Sequence, residues 1–404
     1  MPKRILIITS GHLCRHPRPL KEAETLGRAG YDVTVLTVRN HPPSEALDRD
    51  LLRDAPFRCE AIDMLDARRP AVFARRLGLW LARHAAAKHG LPTVYSLGPA
   101  RALLRRARRI PADLTIVHTE VPFWVGANLL RDGRRVAADF EDWHSEDLLP
   151  DERAGRPLPL IRKIERTMLN ATAFATTTSN ALADALQERY RGPRAQVITN
   201  SFRLQPDPRS PVPGGPPTLF WFSQTLGPGR GLEPFFTAWQ RTRQPSRVVL
   251  LGEPYQKYDR TLVGALRESH RTWLSFLAPV PPGNLPATIA RHDIGLALEA
   301  SVPSNKNCTI SNKILQYLNA GLAVLATPTA GHREVLAREP DAGVIVDFHD
   351  TASAAATLDA LLADREALAR RQKAARRLAE EVYCWEREAP KLLAAVEAAL
   401  AATP

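Results

Sequence analysis

The segment Ser311–Thr327 (SNKILQYLNAGLAVLAT) carries the residues best suited to hold an anion. Ser311 suits a helix N-cap. Ile314, Leu315 and Leu318 form a buried stripe at helical spacing, which leaves Lys313 and Gln316 one turn apart on the more polar side. Gly321 ends the helix and a buried strand follows at once. A helix start bearing Asn312 and Lys313 is a natural diphosphate cradle, because its orphan N–H groups and macrodipole favour negative charge. Gln316, one turn in, can hydrogen-bond ribose hydroxyls. A surface helix with a capping serine and an exposed lysine is the competing reading. A second group lies in the first half of the chain. His118 and Glu120 close the run LTIVH, and Asp139-Phe140-Glu141-Asp142-Trp143-His144 closes the next apolar run. Imidazoles and carboxylates at neighbouring strand ends can orient or polarise a hydroxyl, with His118, Asp142 and His144 as the candidates. Satisfied core residues would look the same.

The elements around these groups alternate. Arg4–Thr9 is a short apolar run of the kind buried on both faces, followed by the loop Ser10–His16, a helix from Pro17–Pro19, and a strand at Tyr31–Val38. That βαβ unit predicts a parallel sheet with a right-handed crossover. Further strands are expected at Leu114–His118, Arg135–Phe140, Ala173–Thr178 and Gln196–Thr199. The run 206–216 is Pro- and Gly-rich without periodicity and reads as a linker. Alternation then restarts with strands at Thr218–Ser223, Arg247–Gly252, Trp273–Leu277, Ile294–Leu298, Leu322–Thr327 and Gly343–Val346. A helical region from about Thr351 to Ala401 closes the chain, broken near Tyr383–Trp385. The expected organisation is a first Rossmann-like domain over 1–205, a linker at 206–216, a second over 217–385 and a C-terminal helix at 386–404. The fold class is therefore α/β, with two doubly wound parallel sheets facing a central cleft.

The 404 residues allow two domains of ordinary size, and 44% apolar with 24% charged residues is ordinary for a globular protein. No apolar run is long enough to cross a membrane. The four cysteines are scattered without metal-like spacing, which suits a reducing cytoplasm, and no metal site is expected. Asp48-Arg49-Asp50 sits in a polar helix-like stretch and reads as coincidence with a metal-binding DxD. The net charge of +12 is uneven: eleven Lys or Arg and no acid fall between Asp66 and Asp113. Two helices are expected there, Val72–His89 and Leu97–Arg109. The first mixes Phe73, Leu77, Leu79, Trp80 and Leu81 with arginines, which suits an anionic membrane surface through residues 68–109. A solvated basic face is the alternative. Aromatics interleaved for base stacking are missing, so nucleic acid is not an expected partner.

The string SNKILQYLNAGLAVLATPTAGHREV, with Gly331 and Glu334-Val335, resembles the C-terminal-domain motif of the retaining GT-B glycosyltransferases of family 4. Phe220–Glu233, Val248–Glu253, Leu277–Leu285 and His292–Gly295 are similar to that family's successive strands and loops. In the first half Gly11, Pro17–Ala23, Gly30–Val33 and Asp113–His118 fall in its order. The resemblance implies sugar transfer from a nucleotide-diphosphate sugar to a glycan or lipid-linked acceptor hydroxyl with retention of configuration. It implies no metal or other cofactor, and the basic stretch suggests acceptors at the inner face of a membrane, as in polysaccharide or cell-envelope synthesis. By the same resemblance Gly11-His12 lie near the donor, Arg230 and Lys313 clamp the diphosphate, and Ser311, Asn312 and Gln316 bind the nucleotide. Val280 lies in the segment whose backbone reads the base, and Glu299 contacts the sugar. The pattern departs at four positions. The family's Glu-x7-Glu pair falls on Cys308 and Gln316, and its Arg/Lys pair on Gln224 and Arg230. The missing carboxylates keep open a non-catalytic nucleotide-sugar-binding protein, and the same two-domain fold also serves a nucleotide-sugar epimerase or hydrolase.

Overall fold

The computed structural model describes residues 1–153, 155–206 and 214–402, so most of the Pro-rich stretch 206–216 lies outside the described residues. The chain forms two compact units: Met1–Ile198 with Ala389–Pro404, and Thr199–Glu388.

The first unit is built on β1 (Arg4–Ile8), β2 (Asp32–Arg39), β3 (Arg58–Asp63), β4 (Leu114–His118), β5 (Val136–Phe140), β6 (Ala175–Thr177) and β7 (Gln196–Val197). All pair in parallel, in the order β3-β2-β1-β4-β5-β6-β7. β1, β4 and β5 are buried almost end to end, as helices on both faces require. β3 has no counterpart among the expected strands. It is an edge strand with one fully buried residue, so its sequence RCEAID shows neither a continuous apolar run nor clean alternation.

The second unit holds β8 (Thr218–Leu226), β9 (Arg247–Pro254), β10 (Leu274–Leu277), β11 (Ile294–Ala297), β12 (Ala323–Ala326) and β13 (Gly343–Ile345), parallel in the order β10-β9-β8-β11-β12-β13. Trp221, Phe235, Trp239 and Leu296 fill one face, and Phe220, Ile314, Tyr317 and Leu318 the other. Each fully buried side chain of this size contributes roughly 1.5–3 kcal/mol by leaving water. The helix Asn312–Asn319 is seated by a missing side chain. At Gly295 in β11 a Cβ would lie 2.1 Å from the Tyr317 ring, and the Tyr317 hydroxyl donates to the Leu296 carbonyl at 3.3 Å. The C-terminal helical region breaks twice, giving Thr351–Ala363, Arg365–Glu381 and Trp385–Ala401. The unexpected break is at Asp364, whose carboxylate caps the next helix by accepting the Glu366 and Ala367 N–H groups.

Candidate functional site

Doubly wound sheets leave a crevice beyond the carboxyl ends of their strands where the winding reverses. In the second unit that point lies between β8 and β11. The loop after β8 carries Arg230 and the loop after β11 carries Glu299. The two loops touch. Gly231 has φ +77°, and a Cβ there would lie 3.0 Å from the Leu298 Cβ. Arg230 is half-buried and has no hydrogen bond or ion pair among the described residues.

The helix Asn312–Asn319 begins at the same edge. The Lys313 ammonium donates to the Glu299 carboxylate and sits 5.6 Å from the centre of the Trp221 ring. Lys313 is therefore already paired with a carboxylate. Burial opposes charge on Glu299, but Lys313 outweighs it and holds the carboxyl below its ordinary value. The Glu299 N–H donates to the Thr327 hydroxyl at 2.9 Å, and that hydroxyl donates back to the Glu299 carbonyl at 2.7 Å.

Ser311 departs from expectation too. It occupies the N-cap position, yet its hydroxyl makes no cap and meets His332 Nε2 at 3.0 Å. His332 is fully buried and its pKa is lowered to about 4 by that burial, so its ring is neutral. With Nδ1 donating to the Thr327 carbonyl at 3.1 Å, Nε2 needs a donor, and Ser311 supplies it. The helix start is left without a side-chain cap, which favours an outside anion.

Asn312 is exposed and accepts from Asn200 at 2.9 Å, whereas Gln316 is half-buried. Val280 is half-buried against the core on the Tyr317 face. β8 runs past the expected Ser223, so Gln224 lies inside it, at the point where pairing with β9 slips between Phe222 and Thr225. The structure thus brings together Glu299, Ser311 and Lys313, with Arg230 on the adjoining loop. Thr327 and His332, which link them, were not foreseen. A polar pair straddling a buried strand and a Gly turn was the available signal.

In the first unit the winding reverses between β1 and β4. Ser10 and Thr119, one after each strand, share a 2.6 Å hydroxyl bond. Thr119 has φ 65° and ψ 167°, a region nearly confined to glycine that costs about 1–3 kcal/mol. Gly11 has φ +120°, and its carbonyl accepts the Thr37 hydroxyl. A Cβ on Gly11 would lie 3.2 Å from His16 Nε2. His16 was not singled out by the sequence. It sits half-buried at this point, its Nδ1 3.1 Å from the Thr9 hydroxyl, and burial lowers its pKa to about 4.

The His12 ring is buried and tied down within its own unit. Its Nδ1 donates to Asp48 at 2.7 Å, and its Nε2 accepts the Asn40 and His41 N–H groups at 3.1 and 3.0 Å. Asp48, which also accepts from the Cys14 N–H at 2.8 Å, anchors this loop. His118 is likewise buried away from solvent, 3.1 Å from Glu22. Arg18 completes that knot, bonding Asp139 at 2.6 Å and the Ile198 carbonyl at 2.7 Å. Burial works against a charged His118, but Glu22 and Asp139 carry its pKa up to about 9. His144 is buried with Nδ1 3.4 Å from Glu120, and Asp142 is half-buried beside it in sequence. Arg156 reaches Glu120 and Asp147 at 3.4 Å each. Burial raises Asp147 to about 6 and Glu141 to about 7, values suited to proton transfer near neutrality. The groups Glu22–His118–Asp139 and Glu120–His144–Asp147 have metal-ligand character, but each already holds an arginine as its cation.

A family model described as Glycosyltransferase Family 4 matches residues 20–205, and one described as Glycosyl transferases group 1 matches 216–364. The chain is a family 4-like glycosyltransferase of the GT-B fold. No curated protein sequence matches it. Among solved structures the transferase is similar to a sucrose-phosphate synthase from Thermosynechococcus elongatus, with TM-score 0.71 and 16% identity over 99% of this chain and 100% of that one. HepE from Anabaena, solved with UDP and glucose, gives 0.69 and 14% over 98% and 99%. A trehalose 6-phosphate synthase from Burkholderia multivorans gives 0.65 and 12% over 98% of each chain. At these identities the likeness is one of fold. The family makes the chain an enzyme, so the purely binding alternative falls away.

Proposed function

We propose that the transferase binds a nucleotide-diphosphate sugar at the β8–β11 reversal and passes the sugar to an acceptor hydroxyl with retention of configuration. The uncapped start of the Asn312–Asn319 helix, with Lys313 and Glu299 fixed beneath it, is the observation that carries this reading. Its N–H groups and Arg230 face the diphosphate, while Gln316 and the backbone around Val280 hold the nucleoside. The Anabaena complexes with UDP favour a uridine nucleotide. As the glycosidic bond breaks, charge grows on the leaving phosphate, and fixed donors stabilise it more than the ground state. The departing oxygen takes the acceptor proton, so neither a protein nucleophile nor a metal is required. Glu299, held ionised, orients the sugar.

On the first unit, Gly11 gives close backbone approach, and His144 with Asp142 positions the acceptor, a glycan or lipid-linked sugar made at the inner face of a membrane. His118 supports those strand ends from within. The test is turnover of UDP-sugars by the purified Arg230→Ala, Lys313→Ala double variant. A loss of about 10² or more in kcat is expected; a wild-type rate would remove the assignment. Release of free sugar without any acceptor, at the full wild-type rate, would instead favour a hydrolase.

A further inference from the structure

The helix Pro70–His89 presents the wrong face to water. Its inner side is narrow, with only Val72 and Ala86 buried. The other side carries Phe73, Leu77, Trp80 and Leu81, which are 57, 43, 60 and 51% exposed. Positions 73, 77, 80, 81 and 84 repeat at helical spacing, so they form one stripe, along which Trp80 stacks on His84 at 5.4 Å. Leu91, just past the helix, is 63% exposed. Four large apolar side chains aligned on a surface mark something that covers them.

Charge says what that is. No acidic residue occurs between Asp66 and Asp113. On this helix Arg76 and Arg83 donate only to backbone carbonyls, of Leu65 at 3.4 Å and Ser96 at 3.1 Å. With Lys88 they have no carboxylate partner among the described residues. The neighbouring helix Ala100–Arg109 differs. It buries Leu103, Leu104 and Ala107, and it spends Arg106 on Glu60 and Arg108 on Asp132. Of the two helices, only the first joins exposed cations to an exposed apolar stripe. No helix among the described residues is long and apolar enough to cross a membrane. An apolar stripe flanked by long cationic side chains is the pattern of a helix lying in a lipid interface, the stems covering apolar surface and the heads reaching phosphate.

We infer that Pro70–His89 lies in the plane of an anionic lipid surface, with Phe73, Leu77, Trp80 and Leu81 below the headgroups and Arg76, Arg83 and Lys88 among the phosphates. The inference does not depend on the donor site. It is tested by flotation of the full chain with vesicles of phosphatidylcholine alone or with about a third phosphatidylglycerol. The wild type is expected to float with the anionic vesicles only. Leu77→Ser, Trp80→Ser is expected to weaken binding at least tenfold. Arg76→Glu, Lys88→Glu should weaken it by more, since each basic residue near the surface is worth about fivefold. Thermal shift by UDP measured on the same variants should be unchanged, which separates this helix from the donor site. A wild type that stays unbound, or an apolar double variant that floats like the wild type, overturns the inference. So does a wild-type dimer dissociated by the same substitutions without any vesicle binding, which would assign the stripe to a second copy.

Discussion

Lys313 serves two ends that one substitution cannot separate. It neutralises Glu299 in a mostly buried pair, and under the proposed reading it lends charge to the diphosphate. Removing one member of a buried pair typically costs about 3–5 kcal/mol, because the other charge is left stranded. Lys313→Ala is therefore expected to lose both stability and turnover. Lys313→Ala with Glu299→Gln should recover most of the melting temperature but not the rate, as read by thermal unfolding beside a donor-turnover assay. Rescue of both together would reduce the pair to a structural one. The histidines set a pH window in the same way. His118, raised to about 9, contributes stability that is complete below its unfolded value near 6.5 and is lost as pH rises through 9. His332, lowered to about 4, acts oppositely: the unfolded chain takes up the proton first, so stability falls as pH drops from about 6.5 towards 4. Melting temperature against pH should thus be highest near neutrality. His118→Asn should flatten the alkaline limb and His332→Asn the acidic one.

The helix Asn312–Asn319 depends on a glycine in the strand beneath it. Gly295→Ala would put a methyl 2.1 Å from the Tyr317 ring, so the helix must lift or the strand must shift. Overpacking of this kind costs about 1–3 kcal/mol. Because the helix start is the proposed diphosphate cradle, UDP affinity should fall with the melting temperature; a destabilised variant with unchanged affinity would count against that placement. Elements of this sort were largely legible in the sequence. Runs such as RILII and AVLA are buried on both faces and show it, and Gly321 marks a helix end. Edge strand β3 was not legible, because one buried residue leaves no period to read. The short helix Ser304–Cys308 was not either, being polar and barely over one turn. The site was legible in part. That Asn312, Lys313 and Glu299 would share one sheet edge follows from strand ends and helix starts meeting there. The pairing of His12 with Asp48, and the theft of the Ser311 hydroxyl by His332, depend on contacts 36 and 21 residues apart that no local pattern encodes.

At the scale of the molecule, the chain repeats one device: a parallel sheet that reverses its winding once, with polar groups gathered at the reversal. The proposed reading gives the second copy the donor and the first the acceptor, and that division is testable without any knowledge of the acceptor. A ligand at 100 times its Kd stabilises the unit it binds by about 2.7 kcal/mol. For a unit of this size that is a rise of several degrees in melting temperature. Arg230 has no hydrogen bond or ion pair among the described residues, so Arg230→Ala should melt like the wild type without ligand and lose most of the rise with UDP. His144 is buried next to Glu120 in the first unit, and His144→Gln should keep the full rise with UDP while turnover on an acceptor drops. If the His144 variant lost the UDP response and the Arg230 variant kept it, the roles of the two units would have to be exchanged.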